Sequence, residues 1–273
     1  MLVVILIIAI LAALLLPALA AAKAKGQGAK CVSNLHQLIV GWTAYTIDNR
    51  DLLAQNLSAN WGGWDGNMTD LGNYAPGKSQ ASWILGDATN EIPGLRDNLI
   101  KQGLIYPYTG SVGLYQCPAN TKPDAWGVST YRAYSMNCWM GVTTSQEWKQ
   151  NIDFNFTKIT QMSVLGPANA WVLCEENQAT INDGSMCEDP SQSAMSAAPD
   201  WWVDLPGHYH VNAAGIAFAD GHGTIKKWSD PSILNDIPQV PLTGSIGSVT
   251  GTIPATDPDF SWFMRQTSQV IKQ

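Results

Sequence analysis

His210, Asp220, Gly221 and His222 are the residues whose types and spacing come nearest to a chemical site in this sequence. Imidazole and carboxylate groups are competent ligands for zinc or copper, and the same groups serve in acid–base catalysis. Asp-Gly is also a favoured tight-turn pair, and it stands between the β-prone stretches GIAFA and GTIKKW. We favour a β-hairpin with histidines near its ends over a metal or catalytic site, and assign no metal here.

A second group of possible ligands lies in an acidic loop. Glu175, Glu176, Asp183 and Glu188 surround an Asn-Asp-Gly turn, and oxygen-rich loops of this kind can hold calcium. The spacing is not that of an EF-hand, and an ordinary solvated loop explains the same residues. Glu175 and Asp183 therefore remain weak calcium candidates, and no cofactor is expected.

Composition and motifs exclude several classes of function. The sequence contains no G-x-S-x-G, H-E-x-x-H or P-loop pattern, so we do not expect an enzyme. The net charge of −7 and the pI of about 4.9 disfavour nucleic acid as a partner. Four of the 12 tryptophans could stack on sugars or form small cores under loops, and we favour the cores. These four are Trp61, Trp64, Trp201 and Trp202.

The chain opens with an apolar segment, residues 1–22, that carries no charge. It has no basic start and is too long for a typical signal peptide, whereas its length suits a membrane-spanning helix. Lysines follow at Lys23, Lys25 and Lys30, which alone would keep the C-terminal side in the cytoplasm. Either the protein faces inward, or a basic leader precedes the apolar segment in the full-length precursor.

A periodic apolar stripe continues beyond this segment. Cys31, Leu35, Leu38, Trp42 and Tyr45 recur at helical spacing, so the pattern predicts one helix from about residue 1 to about residue 49. Such a helix is roughly 70 Å long. Its first half is apolar on all sides and its second half is amphipathic.

The rest of the chain predicts short elements joined by long loops. We expect a short helix over residues 97–108, strands within 130–140 and 170–174, and a hairpin within 211–228. Residues 229–273 carry few charges, and we expect them to pack on the domain or on a neighbouring subunit.

These features resemble type IV pilins and pseudopilins. LVVILIIAILAALLLPALAAAKAKG followed by CVSNLHQL resembles the N-terminal helix of proteins with a prepilin cleavage and methylation signal, and HVNAAGIAFADGH resembles their H-x9-DG signature. The resemblance implies an α+β fold in which a long helix packs on a small antiparallel sheet. The implied parts are a filament-core half of the helix at 1–25, a pilin-like domain at 26–228 and a C-terminal extension at 229–273.

The resemblance also implies a function and a location. It implies a structural subunit that waits in the inner membrane, is processed by a prepilin peptidase, and polymerises with copies of itself into an extracellular filament. The family's Phe-Thr-Leu-Ile-Glu stretch is not seen, so we expect that the sequence begins at an internal methionine or lacks about five mature residues. The alternative is that Met1 is the mature start and Ile5 takes the glutamate position. The alternatives are a minor pseudopilin of a type II secretion-like system and a membrane-anchored glycan-binding module. The implied filament-core residues are Leu2, Ile5, Ile8, Leu11, Leu15 and Pro17.

Five cysteines in a protein of this class indicate disulfides, because the compartment is oxidising. We expect Cys31, at the top of the helix, to pair with Cys117, which precedes a proline. Cys174 and Cys187 would close a short loop, and Cys138 would then remain a thiol. The sequence leaves the connectivity open.

Overall fold

A computed structural model gives the architecture of the chain. It describes residues 2–56, 81–86, 88, 96–121, 131–141, 155–163, 165–181, 184–187, 202–235 and 257–268. The fold is α+β, as predicted, with a long N-terminal helix on a five-stranded sheet.

The helix α1 spans Leu2–Asp48 and confirms the predicted single helix. It continues through Pro17, at which one backbone hydrogen bond is lost without ending the helix. Its two halves differ sharply in burial. The first half is exposed on all sides, whereas the stripe that contains Cys31, Leu35 and Trp42 is fully buried in the second half.

The sheet has the order β3-β1-β2-β4-β5. The four longer strands pair antiparallel with one another, as predicted, but β3 pairs parallel to β1, so the sheet is mixed. A parallel neighbour needs a long connection, and β2 lies between β1 and β3 along the chain. The strands are β1 Tyr134–Asn137, β2 Trp171–Glu175, β3 Ser185–Met186, β4 Ala213–Phe218 and β5 Gly223–Lys227.

The helix predicted over 97–108 is divided into α2 (Arg96–Lys101) and α3 (Tyr106–Thr109). The backbone N–H of Leu104 donates to Ser82 O at 2.9 Å instead of to a helical carbonyl, and this ends the helical pattern between the two pieces. Two short helices follow later in the chain, α4 (Pro231–Leu234) and α5 (Pro258–Thr267).

Alternate residues of the central strands pack on opposite sides of the sheet. Gly215 and Ala217 of β4 face α1, whereas Ala214, Ile216 and Phe218 join a second cluster on the other side. The described part of the chain therefore forms three layers, with α1 on one face of the sheet and α5 on the other.

The described C-terminal residues pack on the domain, which is one of the two arrangements expected from the sequence. Phe260 and Phe263 of α5 contact Trp202, with ring centroids 5.0 and 5.5 Å away. Lys226 of β5 forms an ion pair with Asp259 at 2.7 Å. The segment FSWFM is helical, because Asp257 caps the helix and Pro258 follows at its first position.

We expect Phe263→Ala to lower the free energy of unfolding by about 3–5 kcal/mol, because it opens a cavity beneath three tryptophans. Arg265→Ala, an exposed change in the same helix, is the matched control and should cost less than about 0.5 kcal/mol. Chemical denaturation of the full chain in detergent measures both. Equal stabilities of the two variants would show that α5 is not part of the core.

Candidate functional site

Four side chains with metal-binding or acid–base groups meet between α1 and the sheet: Cys31, Cys117, Glu175 and His210. Cys31 lies on the buried stripe of α1, and Glu175 is the last residue of β2. Cys117 follows the 3-10 segment Val112–Tyr115, and His210 immediately precedes the turn into β4. We call these four residues the Cys-Cys-Glu-His cluster; all are buried, the most exposed by 8%.

The side chains converge on one carboxylate oxygen. The Cys31 thiol donates to Glu175 Oε1 at 3.1 Å, and His210 Nε2 lies 3.1 Å from the same oxygen. His210 Nε2 is also 3.4 Å from Cys117 Sγ. The other carboxylate oxygen, Oε2, accepts the backbone N–H of Gly215 at 2.6 Å.

Each sulfur has a further donor outside the cluster. The Tyr134 hydroxyl donates to Cys31 Sγ at 3.3 Å, and the Ala119 N–H donates to Cys117 Sγ at 3.3 Å. Tyr134 stands directly opposite Glu175 in the β1–β2 register, so both side chains reach α1 from neighbouring strands. Every acidic group of the cluster thus accepts a hydrogen bond from a group fixed by the fold.

The absence of a side chain at Gly215 makes room for this arrangement. A Cβ atom there would lie 2.7 Å from Cys31 Sγ and 2.7 Å from Leu35 Cδ1. Separations this short are not found between real Cβ atoms and their neighbours, so a larger residue would displace α1 from β4. Glycine at this position lets the helix approach the strand closely enough for Cys31 to reach Glu175.

The cluster perturbs the acidity of its members. Burial disfavours charge on His210, but the hydrogen bonds to Cys117 and Glu175 and the charge of Glu175 outweigh it and raise the pKa to about 10. The neighbouring Cys31 and His210 side chains lower the pKa of the Cys117 thiol against the opposing effect of burial. Because the pKa of His210 exceeds its ordinary 6.5, its ion pair stabilises the fold fully below pH 6.5 and progressively less towards pH 10.

The geometry does not fit a catalytic triad. In a triad the carboxylate orients one ring nitrogen of the histidine while the other faces the nucleophile. Here Glu175 and Cys117 both approach Nε2 of His210, and the sulfur is buried. The arrangement instead offers an internal ion pair beside two thiols, or four convergent ligand atoms.

The sequence-predicted motif is divided between two ends of a hairpin. Asp220 and Gly221 form the turn between β4 and β5, as predicted, with Gly221 at φ +96°. His222 Nδ1 lies 2.6 Å from Asp220 Oδ1, and the imidazole stacks on Phe218 with centroids 4.3 Å apart. His210 lies at the opposite end of β4, so the motif does not assemble as one site.

The remaining cysteines lie apart from the cluster. Cys174 faces the second side of the sheet, and its thiol donates to the carbonyl of Glu175 at 3.2 Å. Cys187, its predicted partner, packs instead with Cys138 and Trp139. Cys31 and Cys117 are adjacent thiols, and their pairing stays a prediction.

The residues considered for calcium or sugar binding do not form a separate ligand site among the described residues. Glu175 is committed to the interior cluster, and Asp183 lies outside the described residues. Trp202 is a core residue, because its ring is fully buried and its indole N–H donates to Asp230 at 3.0 Å. Trp61, Trp64 and Trp201 lie outside the described residues.

The contact between Glu175 and His210 was not predicted from the sequence. A signal was available, because Glu175 ends a strand whose other residues are apolar, and a buried carboxylate requires a partner. Finding that partner needed the pairing of β2 with β4, which the sequence alone does not supply.

Comparison with known proteins adds no constraint on this site: no protein-family model, no curated protein and no solved structure matches the chain. The chemistry of the cluster therefore rests on its own geometry.

We expect Gly215→Ala to destabilise the fold by about 1–3 kcal/mol and to expose Cys31 and Cys117 to alkylating reagents, because the added methyl group separates α1 from β4. Gly223→Ala is the matched control, since a Cβ there comes no closer than 3.4 Å to Val32. Denaturation and alkylation with mass detection measure both effects. Unchanged thiol protection in Gly215→Ala would disprove the close-approach argument.

Proposed function

We propose that the protein is a structural subunit of a type IV pilus-like extracellular filament, assembled through the apolar half of α1. The observation that carries this proposal is the contrast between the two halves of one continuous helix. An 18-residue window of α1 has a mean hydropathy of 3.3, and none of it is buried within the chain. Such a surface requires lipid or other copies of the same helix around it.

The exposure is uniform around the helix. Residues 2–23, which cover every direction around the axis, are all exposed, and the large apolar side chains among them are between 52% and 84% exposed. Burial of apolar surface contributes about 25 cal/mol per Å2, so keeping this segment in water would cost tens of kcal/mol. The proposed order of events, an inner-membrane anchor followed by a filament core, keeps it covered throughout.

The region at which α1 leaves the domain supports the same proposal. A groove of about 670 Å3 runs beside the helix, lined mainly by small and apolar residues: Ala21, Ala24, Lys25, Gly28, Ala29, Val32, His210, Val211 and Ile225. It is continuous with the exposed apolar half, so the occupant that fits best is the helix of a neighbouring copy. Small side chains allow helices to approach closely in apolar surroundings.

Val211 lines this groove with an exposed side chain and an unfavourable backbone conformation. Its side chain is 70% exposed and its φ is +57°, a region that β-branched residues rarely adopt. Strained, exposed apolar residues are more often retained at contact surfaces than elsewhere. We assign Val211 to the contact between subunits.

Electron microscopy of the sheared cell-surface fraction is the deciding experiment. Filaments that contain this chain support the proposal. Short periplasmic assemblies, together with loss of exported enzymes on deletion, would favour a pseudopilin of a secretion system instead. The buried state of Trp202 gives no support to the glycan-binding alternative.

Ile8→Asp should abolish filaments, because a mid-helix Asp costs about 2.5–3.5 kcal/mol in the membrane and is then buried again in each subunit of the filament. Ile47→Asp is the matched control, since Ile47 is also exposed on α1 but lies at the domain end. We expect it to leave assembly intact. Filament yield on cells measures both, and normal filaments from the Ile8→Asp chain would overturn the proposal.

Val211→Asn should separate stability from assembly. Asparagine tolerates positive φ, so the subunit should gain about 1 kcal/mol, whereas loss of the apolar side chain should reduce filament yield. Val40→Asn, the same change at an exposed helical position, should lower stability slightly and leave filaments unaffected. Unfolding in detergent and filament yield are measured together. A more stable Val211→Asn subunit that assembles normally would remove Val211 from the contact.

A further inference from the structure

We infer that Cys31, Cys117, Glu175 and His210 form a closed binding site for one divalent transition metal ion, with zinc as the ion that fits best. The inference depends on the geometry of the cluster alone, so it holds whether or not the protein forms filaments.

The separations between the ligand atoms are close to those of a tetrahedral site: one lies within the tetrahedral range and two are slightly shorter. Bonds of about 2.3 Å to sulfur and about 2.0–2.2 Å to nitrogen or oxygen place the ligands of tetrahedral zinc about 3.3–3.8 Å from one another. The sulfur–nitrogen distance between Cys117 and His210 is 3.4 Å. Glu175 Oε1 lies 3.1 Å from both Cys31 Sγ and His210 Nε2, and all four ligand atoms fall within 4.8 Å of one another.

The convergence of Cys31 and His210 on one oxygen of Glu175 has a simple explanation if an ion lies between the four side chains. A hydrogen-bonded ion pair requires only two groups. A catalytic triad requires three groups, each hydrogen-bonded to the next. In this cluster four ligand atoms, each from a different side chain, lie within 4.8 Å of one another, which is close enough for them to share one ion.

The surroundings of the cluster supply outer hydrogen bonds to its three anionic ligands, whereas Nδ1 of His210 is buried without a hydrogen-bond partner among the described residues. Each of the three anionic ligands accepts one donor: Tyr134 O–H for Cys31, Ala119 N–H for Cys117 and Gly215 N–H for Glu175. Because Gly215 holds Oε2, only Oε1 of Glu175 faces the centre. Outer donors of this kind orient the ligands and offset their negative charge.

The ligand types select among metals. Two thiolates favour zinc or a similar soft or borderline ion over calcium and magnesium, which prefer oxygen ligands. All four side chains are buried, so the site has the closed character of structural rather than catalytic zinc. The ion would connect α1, the segment after the 3-10 helix, β2 and the entry to β4.

Metal and disulfide are mutually exclusive here. A Cys31–Cys117 bridge, the sequence-based expectation, would remove both thiolates and leave Glu175 and His210 as an ion pair. The state of these two sulfurs in the exported protein therefore decides the inference.

The experiment uses the full chain, exported, extracted in detergent and purified on a tag without histidines and without chelator. We expect about one equivalent of bound zinc by elemental mass spectrometry, and unbridged Cys31 and Cys117 by mass spectrometry without reductant. Replacement by Co2+ should give the intense visible absorption of a tetrahedral thiolate complex, which reports coordination directly and needs no variant.

Variants identify the ligands. Cys31→Ser and His210→Gln should lose the bound zinc, whereas Cys174→Ser, a buried thiol next to Glu175 but outside the cluster, should retain it. His222→Gln should also retain it, because that histidine lies at the far end of the hairpin. Tyr134→Phe, which removes only the O–H donor to Cys31, should weaken zinc binding about 10–100-fold.

Three results would overturn the inference. The first is a Cys31–Cys117 bridge in the exported protein without bound metal. The second is zinc that persists in folded Cys31→Ser, with native circular dichroism as the check on folding. The third is reduced wild-type protein that gives no thiolate spectrum with Co2+.

Discussion

The close contact between α1 and β4 is the constraint on which the rest of the structure depends. Gly215 has no side chain, so Cys31 can reach the interior side of the sheet, and Glu175 accepts hydrogen bonds from both elements. A buried carboxylate is costly unless it is paired, and its partners here come from distant parts of the chain. The helix is therefore fixed to the sheet by polar groups of defined geometry as well as by the apolar stripe.

Because the buried half of α1 is fixed to the sheet, the exposed half of the same helix also has a defined position relative to the domain. A helix with one half in a protein core and the other outside it transmits position along its length only if the buried half cannot slide. Apolar packing by itself tolerates small shifts between similar arrangements, whereas the hydrogen bonds of Cys31 with Glu175 and Tyr134 do not. In the proposed filament, the domain would thus hold a defined orientation relative to the helical core.

Much of the architecture could be predicted from the sequence, because its signals are local. The apolar run and the stripe from Cys31 to Tyr45 define α1, and Asp220-Gly221 defines the β4–β5 hairpin. The parallel pairing of β3 and the face of the sheet on which α5 docks could not be predicted, because both depend on contacts between distant segments. The α5 segment is rich in aromatic residues, and Asp257 and Pro258 at its start make it a helix.

The same difference between local signals and contacts of distant segments explains why the H-x9-DG motif does not form a site by itself. Nine residues separate His210 from Asp220, and a six-residue strand, at about 3.3 Å per residue, accounts for roughly 20 Å of that interval. The spacing therefore fixes the length of β4, with a tight turn at one end and a histidine beneath α1 at the other. If the motif is interpreted as a set of ligands, it groups His210 with Asp220 and His222, which lie at the other end of β4. Taken as the length of a strand, it places His210 where Cys31, Cys117 and Glu175 converge, and the chemistry lies in those tertiary contacts.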